Sequence, residues 1–218
     1  MQERNRAEKD IADAGRIEQF VKSSSLFYFA MAGVGFLICY YRHKNFIRIA
    51  QLPSDAKQAL TLLALGVMGA IVLLIANYLF EEQFASYKAF RHVLMRMIGA
   101  ASVPAALYLA FISAAGEELL FRGAIQPVLG IVGSALLFGL LHLGPQGLIS
   151  IWTLWAILSG LLFSWMFDET GSLWPVLVCH FLVNSVSMLR LRLQYRQFLA
   201  TLAESEAKKA SAKLISGH

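Results

Sequence analysis

Eighteen consecutive residues, Ile98 to Ala115, carry no charged side chain, and the stretch Ala115-Gly116-Glu117-Glu118-Leu119-Leu120-Phe121-Arg122-Gly123 follows directly. An apolar run of that length is what a helix needs to cross the hydrocarbon of a bilayer. Two carboxylates and a guanidinium are therefore carried into the membrane or to its edge. Ionisable groups there are costly, and they are found facing a protein interior or a watery cavity where they perform a task. Glu118 and Arg122 lie four apart and share a helix face, so they can pair. Glu117 is rotated away by one residue and is left without that partner. A carboxylate held by an arginine beside one that is free is the arrangement in which the free one serves as a base. The alternative is that both glutamates mark the helix end at the interface.

The rest of the chain repeats the pattern of long apolar blocks separated by short charged ones. Of 218 residues, 57% are hydrophobic and 15% charged, against about 25% charged in a soluble domain. The expected fold is all-α: a polytopic membrane helical bundle of about six transmembrane helices. The six blocks are Leu26 to Tyr41, Leu60 to Phe80, Met97 to Phe121, Val128 to Leu143, Leu148 to Phe167 and Leu173 to Leu189. They divide the chain into a lead-in over 1–23, interfacial or cytoplasmic, a transmembrane catalytic domain over 24–190 with its motif-bearing core at 97–189, and a basic amphipathic, then polar and loose, tail over 191–218. Five acidic residues before the first block argue against a secretory signal. Pro104 is expected to kink the third span, and Gly123 and Pro127 to turn the chain into the fourth. Ala101, Ala105, Ala106, Ala110 and Ala114 give the third span a small face for close packing.

Cys39 and Cys179 both sit in apolar blocks and imply neither a disulfide framework nor a thiolate metal site. The net charge of +5 suits anionic lipid headgroups and not nucleic acid, because no soluble basic face exists to carry a groove. The expected partners are the lipid bilayer and a membrane-anchored peptide or protein substrate. Oligomeric state has no signature in the sequence.

Four histidines precede the terminal His218. His43 and His92 fall between apolar blocks among charges and are expected in solvated loops, whereas His142 and His180 are embedded in apolar helices, with Asn184 one turn after His180. Counting helical rise at about 1.5 Å per residue puts Glu117, His180 and Asn184 at similar depth, with His142 deeper unless its helix starts near Gly130. One free glutamate, two histidines and an asparagine suit the activation of water for attack on a carbonyl. Glu117 would take the proton, a histidine would orient the water, and a histidine with the asparagine amide would donate to the oxyanion. Cys179 directly precedes His180 and points about 100° away around the helix, which makes it a poor nucleophile for that base.

Glu117-Glu118-x-x-x-Arg122, Phe138-x-x-x-His142 and His180-x-x-x-Asn184, in this order on successive apolar helices, resemble the three motifs of the CAAX-processing and bacteriocin-processing (CPBP, or Abi) family of intramembrane glutamic endopeptidases. The resemblance covers Met97 to Leu189. It implies that Glu117 is the general base, that Glu118 is its companion held by Arg122, and that Phe138 packs beneath the site. It implies further that His142 helps hold the attacking water and that His180 and Asn184 form the oxyanion side, with no cofactor and no metal. Family members that cleave after a prenylated cysteine have about eight spans. Other members mature exported peptides, confer immunity to bacteriocins or trim C-terminal sorting signals. Two alternatives stand beside this reading: a zinc-dependent membrane metalloprotease using the same Glu and His residues, for which no His-Glu-x-x-His helix is present, and a non-catalytic membrane chaperone or binding protein of the same fold.

Six alternating spans place 14 of the 19 Lys and Arg on the side that holds both termini. Cytoplasmic loops carry the excess of positive charge. Both termini are thus expected in the cytoplasm of a bacterial inner membrane, with the Glu117 end of the third span facing outward.

Overall fold

The computed structural model describes residues 2–43, 46–144, 147 and 150–216; side chains before Gly15, that of His43, and all beyond Lys208 except Ser211 lie outside the description. Expectations that fall there are the environment of His43, the amphipathic face of the lead-in before Gly15, and the block boundaries at Pro145 and Leu148. Every regular element among the described residues is helical.

Helix α1 runs Gln2–Leu37 and continues into a π-helical segment, Ile38–His43. A short α2, Phe46–Ile49, precedes α3, Ala56–Gln83. Asp55 caps α3 by accepting the Gln58 amide at 2.8 Å, which satisfies one of the orphan donors of the first turn. Helix α4 is Ala85–Ile98, α5 is Val103–Glu118, a π-helical turn covers Leu119–Ile125, and α6 is Gln126–Leu141. Helices α7, Ile151–Thr170, and α8, Trp174–Ser216, complete the chain.

Among the described residues five helical runs are long and apolar enough to cross a membrane: Gly15–Arg42, Ala56–Gln83, Val103–Leu141, Ile151–Thr170 and Trp174–Lys208. Large apolar side chains such as Leu26, Phe27, Leu60, Met68 and Ile75 point outward, as they must where lipid is the solvent. The protein is a polytopic helical membrane protein.

The count of five differs from the expected six because the third and fourth blocks belong to one run, 103–141. That run is not straight. Ser134 donates its hydroxyl to the Phe121 carbonyl at 3.3 Å, although thirteen residues of continuous helix would separate them by about 20 Å. The chain doubles back at Gly130, whose φ of 67° and ψ of −176° leave the helical region and suit a residue without a Cβ. The turn therefore lies at Gly130 and not at Gly123 and Pro127, which sit within the ascending limb. The descending limb, from residue 131 to Leu141, is about 17 Å long, well short of the bilayer core.

Pro104 also acts differently from expectation. Gly99 to Ser102 break the chain after α4, Ser102 caps α5 by accepting the Ala105 amide, and Pro104 sits in the first turn, where its missing N–H costs nothing. It opens a helix instead of kinking one. His92 lies on α4, exposed, and not in a loop. The lead-in and the tail are continuous with the first and last spans as parts of α1 and α8.

Helix α1 runs beside α5, α8 packs on both α3 and α5, and the descending limb of α6 packs on α7. Lipid supplies no hydrophobic drive between helices, so close backbone approach has to hold them together. Gly116 provides it: a Cβ there would stand 2.7 Å from the Tyr28 carbonyl oxygen on α1. Ala106, Ala110 and Ala114 of the expected small face are buried.

Candidate active site

Glu117 and Glu118 are the last two residues of α5, and one helical step sends them to different places. Glu118 points inward and is fully buried with Arg122. Arg122 Nε lies 3.1 Å from Glu118 Oε2, and Nη1 donates to Oε1 at 3.4 Å. The guanidinium also donates from Nη2 to the Gly160 carbonyl on α7 at 3.0 Å. It sits 4.7 Å above the Phe138 ring centroid and 5.2 Å from that of Phe163. A carboxylate, a carbonyl and two aromatic faces thus compensate a cation that has lost its water. Arg122 and its neighbours occupy the π-helical turn, a local widening of the helix that recurs at functional sites.

The other oxygen-to-imidazole contact of Glu118 fixes a histidine. His180 Nδ1 is 2.6 Å from Glu118 Oε1. The carboxylate paired with Arg122 accepts, so Nδ1 carries the hydrogen. His180 stacks on Phe163, centroids 4.8 Å apart and planes 21° apart, which leaves Nε2 facing Glu117 Oε2 at 3.8 Å. His142, just past the end of α6, repeats the arrangement. Its Nδ1 is 2.7 Å from the Phe138 carbonyl, which can only accept, so Nδ1–H is again the donor. Its Nε2 lies 3.7 Å from the same Glu117 Oε2.

Three acceptor atoms therefore converge: Glu117 Oε2, buried and without a hydrogen-bond partner, and two imidazole Nε2 atoms. Separations of 3.7 and 3.8 Å exceed a direct hydrogen bond. They allow one water oxygen to stand at about 2.8 Å from each atom and to donate to two of them. Asn184 donates from Nδ2 to Ser113 Oγ at 3.0 Å, and Ser113 in turn donates to the Ala110 carbonyl at 3.2 Å. One amide hydrogen is so occupied; the amide has a second. Of the residues named from the sequence, the structure gathers Glu117, Glu118, Arg122, Phe138, His142 and His180 into one contact network, with Asn184 on the wall of the same cavity.

Two residues of the site have no counterpart among the motifs. Tyr28 on α1 lines the cavity, and its phenol interacts directly with the Glu117 carboxylate. Ser113 stands one turn before Glu117 and orients Asn184. Ser113 could have been found by helical spacing from Glu117. Tyr28 could not, since nothing in a sequence tells which of several tyrosines in a span meets a given helix.

The cavity measures about 260 Å³. From Glu117 it extends along α8 past Asn184 to Leu191, walled by Leu94 and Ile98 of α4 and by Phe20 of α1. Because α8 and α5 are antiparallel, with Arg192 reaching the Ala101 carbonyl, this direction leads to the end that carries both termini. At the other end α1 closes over Glu117, where Gly116 meets the Tyr28 carbonyl.

Comparison with known proteins bears on the same segment. Residues 99–186 match the family model described as type II CAAX prenyl endopeptidase Rce1-like. The matched region begins at the turn before α5 and ends just beyond Asn184, so it contains every motif residue of the site. The chain is also 27% identical over 154 residues to the uncharacterized protein YpbD of Bacillus subtilis (strain 168), covering 68% of this chain and 80% of that protein. No solved structure matches it significantly. The segment that resembles this membrane-protease family coincides with the buried Glu117, Glu118 and His180 and with the half-buried His142.

Proposed function

We propose that the protein is a glutamic-type intramembrane endopeptidase that hydrolyses a peptide bond in a membrane-associated peptide. The observation that carries this reading is Glu117 Oε2, a buried carboxylate oxygen without a hydrogen-bond partner, faced by two Nε2 atoms whose tautomers are set by Phe138 and Glu118. Water held there gives one proton to Glu117 as its oxygen attacks the carbonyl carbon. The oxyanion that forms is met by the second Asn184 N–H, while the two Nε2 atoms hold the attacking water in place. As the C–N bond breaks, Glu117 returns the proton to the leaving amine.

Access from the end with both termini favours a substrate presented from that side. Arg122 is buried in the core and does not belong to a loop, so removing it sharpens the positive-charge asymmetry toward that end. The cavity then opens toward the cytoplasm of a bacterial inner membrane, and its apolar walls suit a lipid-linked chain such as a prenylated CAAX-type peptide better than an exported sorting signal.

The test is cleavage of a prenylated CAAX-type peptide, and of a transmembrane sorting-signal peptide, by the purified chain in liposomes. Glu117→Gln should abolish turnover while leaving the thermal unfolding midpoint and peptide binding unchanged. Near-normal turnover by that variant defeats the mechanism.

A further inference from the structure

A second cluster of buried charge, separate from the motifs, joins α3, α4 and α8 on the side of both termini. Glu81 Oε2 lies 3.1 Å from Arg91 Nε on α4 and 3.1 Å from Arg190 Nη1 on α8. One carboxylate is shared by two guanidiniums, so the cluster is cationic. Beside it, Tyr87 donates its phenol to Asn77. Burial pushes that phenol above its ordinary value, so it stays protonated and adds no negative charge.

Between α4 and α8 the cluster borders a cavity of about 250 Å³ lined by Glu81, Lys88, Arg91, His92, Gln194 and Gln197 and closed by Met95 and Phe198. Arg91 is 5% exposed, and its Nη2 has no hydrogen-bond partner. A buried cationic N–H without an acceptor is expensive. Lys88 and the two glutamine amides add further donors on the same cavity, while the nearby carboxylate is already engaged twice. A planar guanidinium fork with an ammonium and amide donors is the donor set that matches the oxygens of a phosphate group. Basic pockets between transmembrane helices take lipid headgroups by this chemistry.

We propose that this cavity binds a phosphate group, supplied by an anionic phospholipid headgroup or by free phosphate, and that the bound group clamps α4 onto α8. Both helices also wall the cavity that holds Glu117, so the clamp fixes the width of that cavity from outside. The binding itself does not depend on the protease reading.

The test uses the full chain in a neutral detergent, titrated with short-chain phosphatidylglycerol, with phosphatidylcholine of the same length, and with inorganic phosphate, while thermal unfolding and binding are followed. Phosphatidylglycerol is expected to raise the unfolding midpoint by about 4 °C at tenfold saturation, and phosphatidylcholine to leave it unchanged. Lys88→Ala with Gln194→Ala, which spares the buried Glu81–Arg91 pair, should weaken binding about tenfold. Lys57→Ala at the opposite end removes the same charge and should not. Response to phosphatidylglycerol alone identifies a lipid headgroup as the source; response to inorganic phosphate as well identifies the phosphate itself. No response to either, or a response that the Lys88 and Gln194 variant retains in full, overturns the proposal.

Discussion

His180 hands its Nδ1 hydrogen to Glu118 at 2.6 Å and thereby turns Nε2 toward Glu117, so the two adjacent glutamates act on opposite edges of one imidazole. In the proposed mechanism Glu118 is the structural partner and Glu117 the chemical one. The division of labour follows from a single helical step at the end of α5, where one carboxylate meets Arg122 and the other meets the cavity.

Replacing Glu118 should therefore damage the protein in a different way from replacing Glu117. Glu118→Gln leaves Arg122 buried without its counter-charge, at a cost of about 3–5 kcal/mol, and loses the strong acceptor for His180. Folded yield and unfolding midpoint should both fall, together with the rate per folded molecule. Glu118→Gln with Arg122→Met removes both charges and should recover much of the midpoint, because no buried charge is then left without its counter-charge. It should not recover turnover, since His180 remains without its carboxylate. Thermal unfolding read beside cleavage per folded molecule separates these outcomes. Recovery of both would mean that Glu118 serves only the fold.

Gly130 offers an independent lever on His142. Its φ of 67° with ψ of −176° is a region that residues with a Cβ avoid, and a Cβ there meets no atom within 4 Å, so substitution strains the backbone without a clash. Gly130→Ala should cost about 1–3 kcal/mol and, by shifting the return limb, lengthen the distance from His142 to Glu117. The expected result is a lower unfolding midpoint and a fall in turnover with substrate affinity little changed. An unchanged midpoint would show that the turn tolerates a side chain and that the strain argument fails.

The site was more legible in the sequence than the path of the chain through it. Glu118 to Arg122 and His180 to Asn184 are each local, one turn of one helix, so spacing alone places both members of a pair on one face. Apolar block length likewise marks membrane helices without knowledge of their neighbours. The return at Gly130 was obscured because Gly123, Pro127 and Gly130 are all turn formers within eight residues. A π-helical turn with Arg122 buried against Phe138 and Phe163 keeps the first two inside the ascending limb. Helix-to-helix partners, such as Tyr28 for Glu117 and Glu81 for both Arg91 and Arg190, lie 89, 10 and 109 residues apart along the chain, and no periodicity in one helix encodes them.

Metal dependence tests the alternative hydrolase directly. Both imidazoles present Nε2 with Nδ1 engaged, the tautomer a metal ligand would need, yet among the described residues no group of three His, Cys, Asp or Glu has the arrangement to hold an ion. Protein stripped with chelator should keep its cleavage rate. Loss of activity restored by one equivalent of zinc would move the assignment to a metalloprotease with Glu117, His142 and His180 as ligands.

Orientation decides which substrates reach the cavity, and it can be measured without knowing them. If both termini are cytoplasmic, the exposed end of α7 around Asp168 and Glu169 faces outward, because α7 ends where α8 begins its return toward the terminal side. Cys39 and Cys179 are both buried and should stay silent to a membrane-impermeant thiol reagent, so a single added cysteine reports cleanly. Glu169→Cys should label in intact cells, and Lys88→Cys, at the other end of the bundle, only after the membrane is opened. The reverse pattern would place both termini outside and open the Glu117 cavity to exported peptides. Such a result would leave the catalytic geometry untouched and exchange the prenylated cytoplasmic substrate for a secreted one.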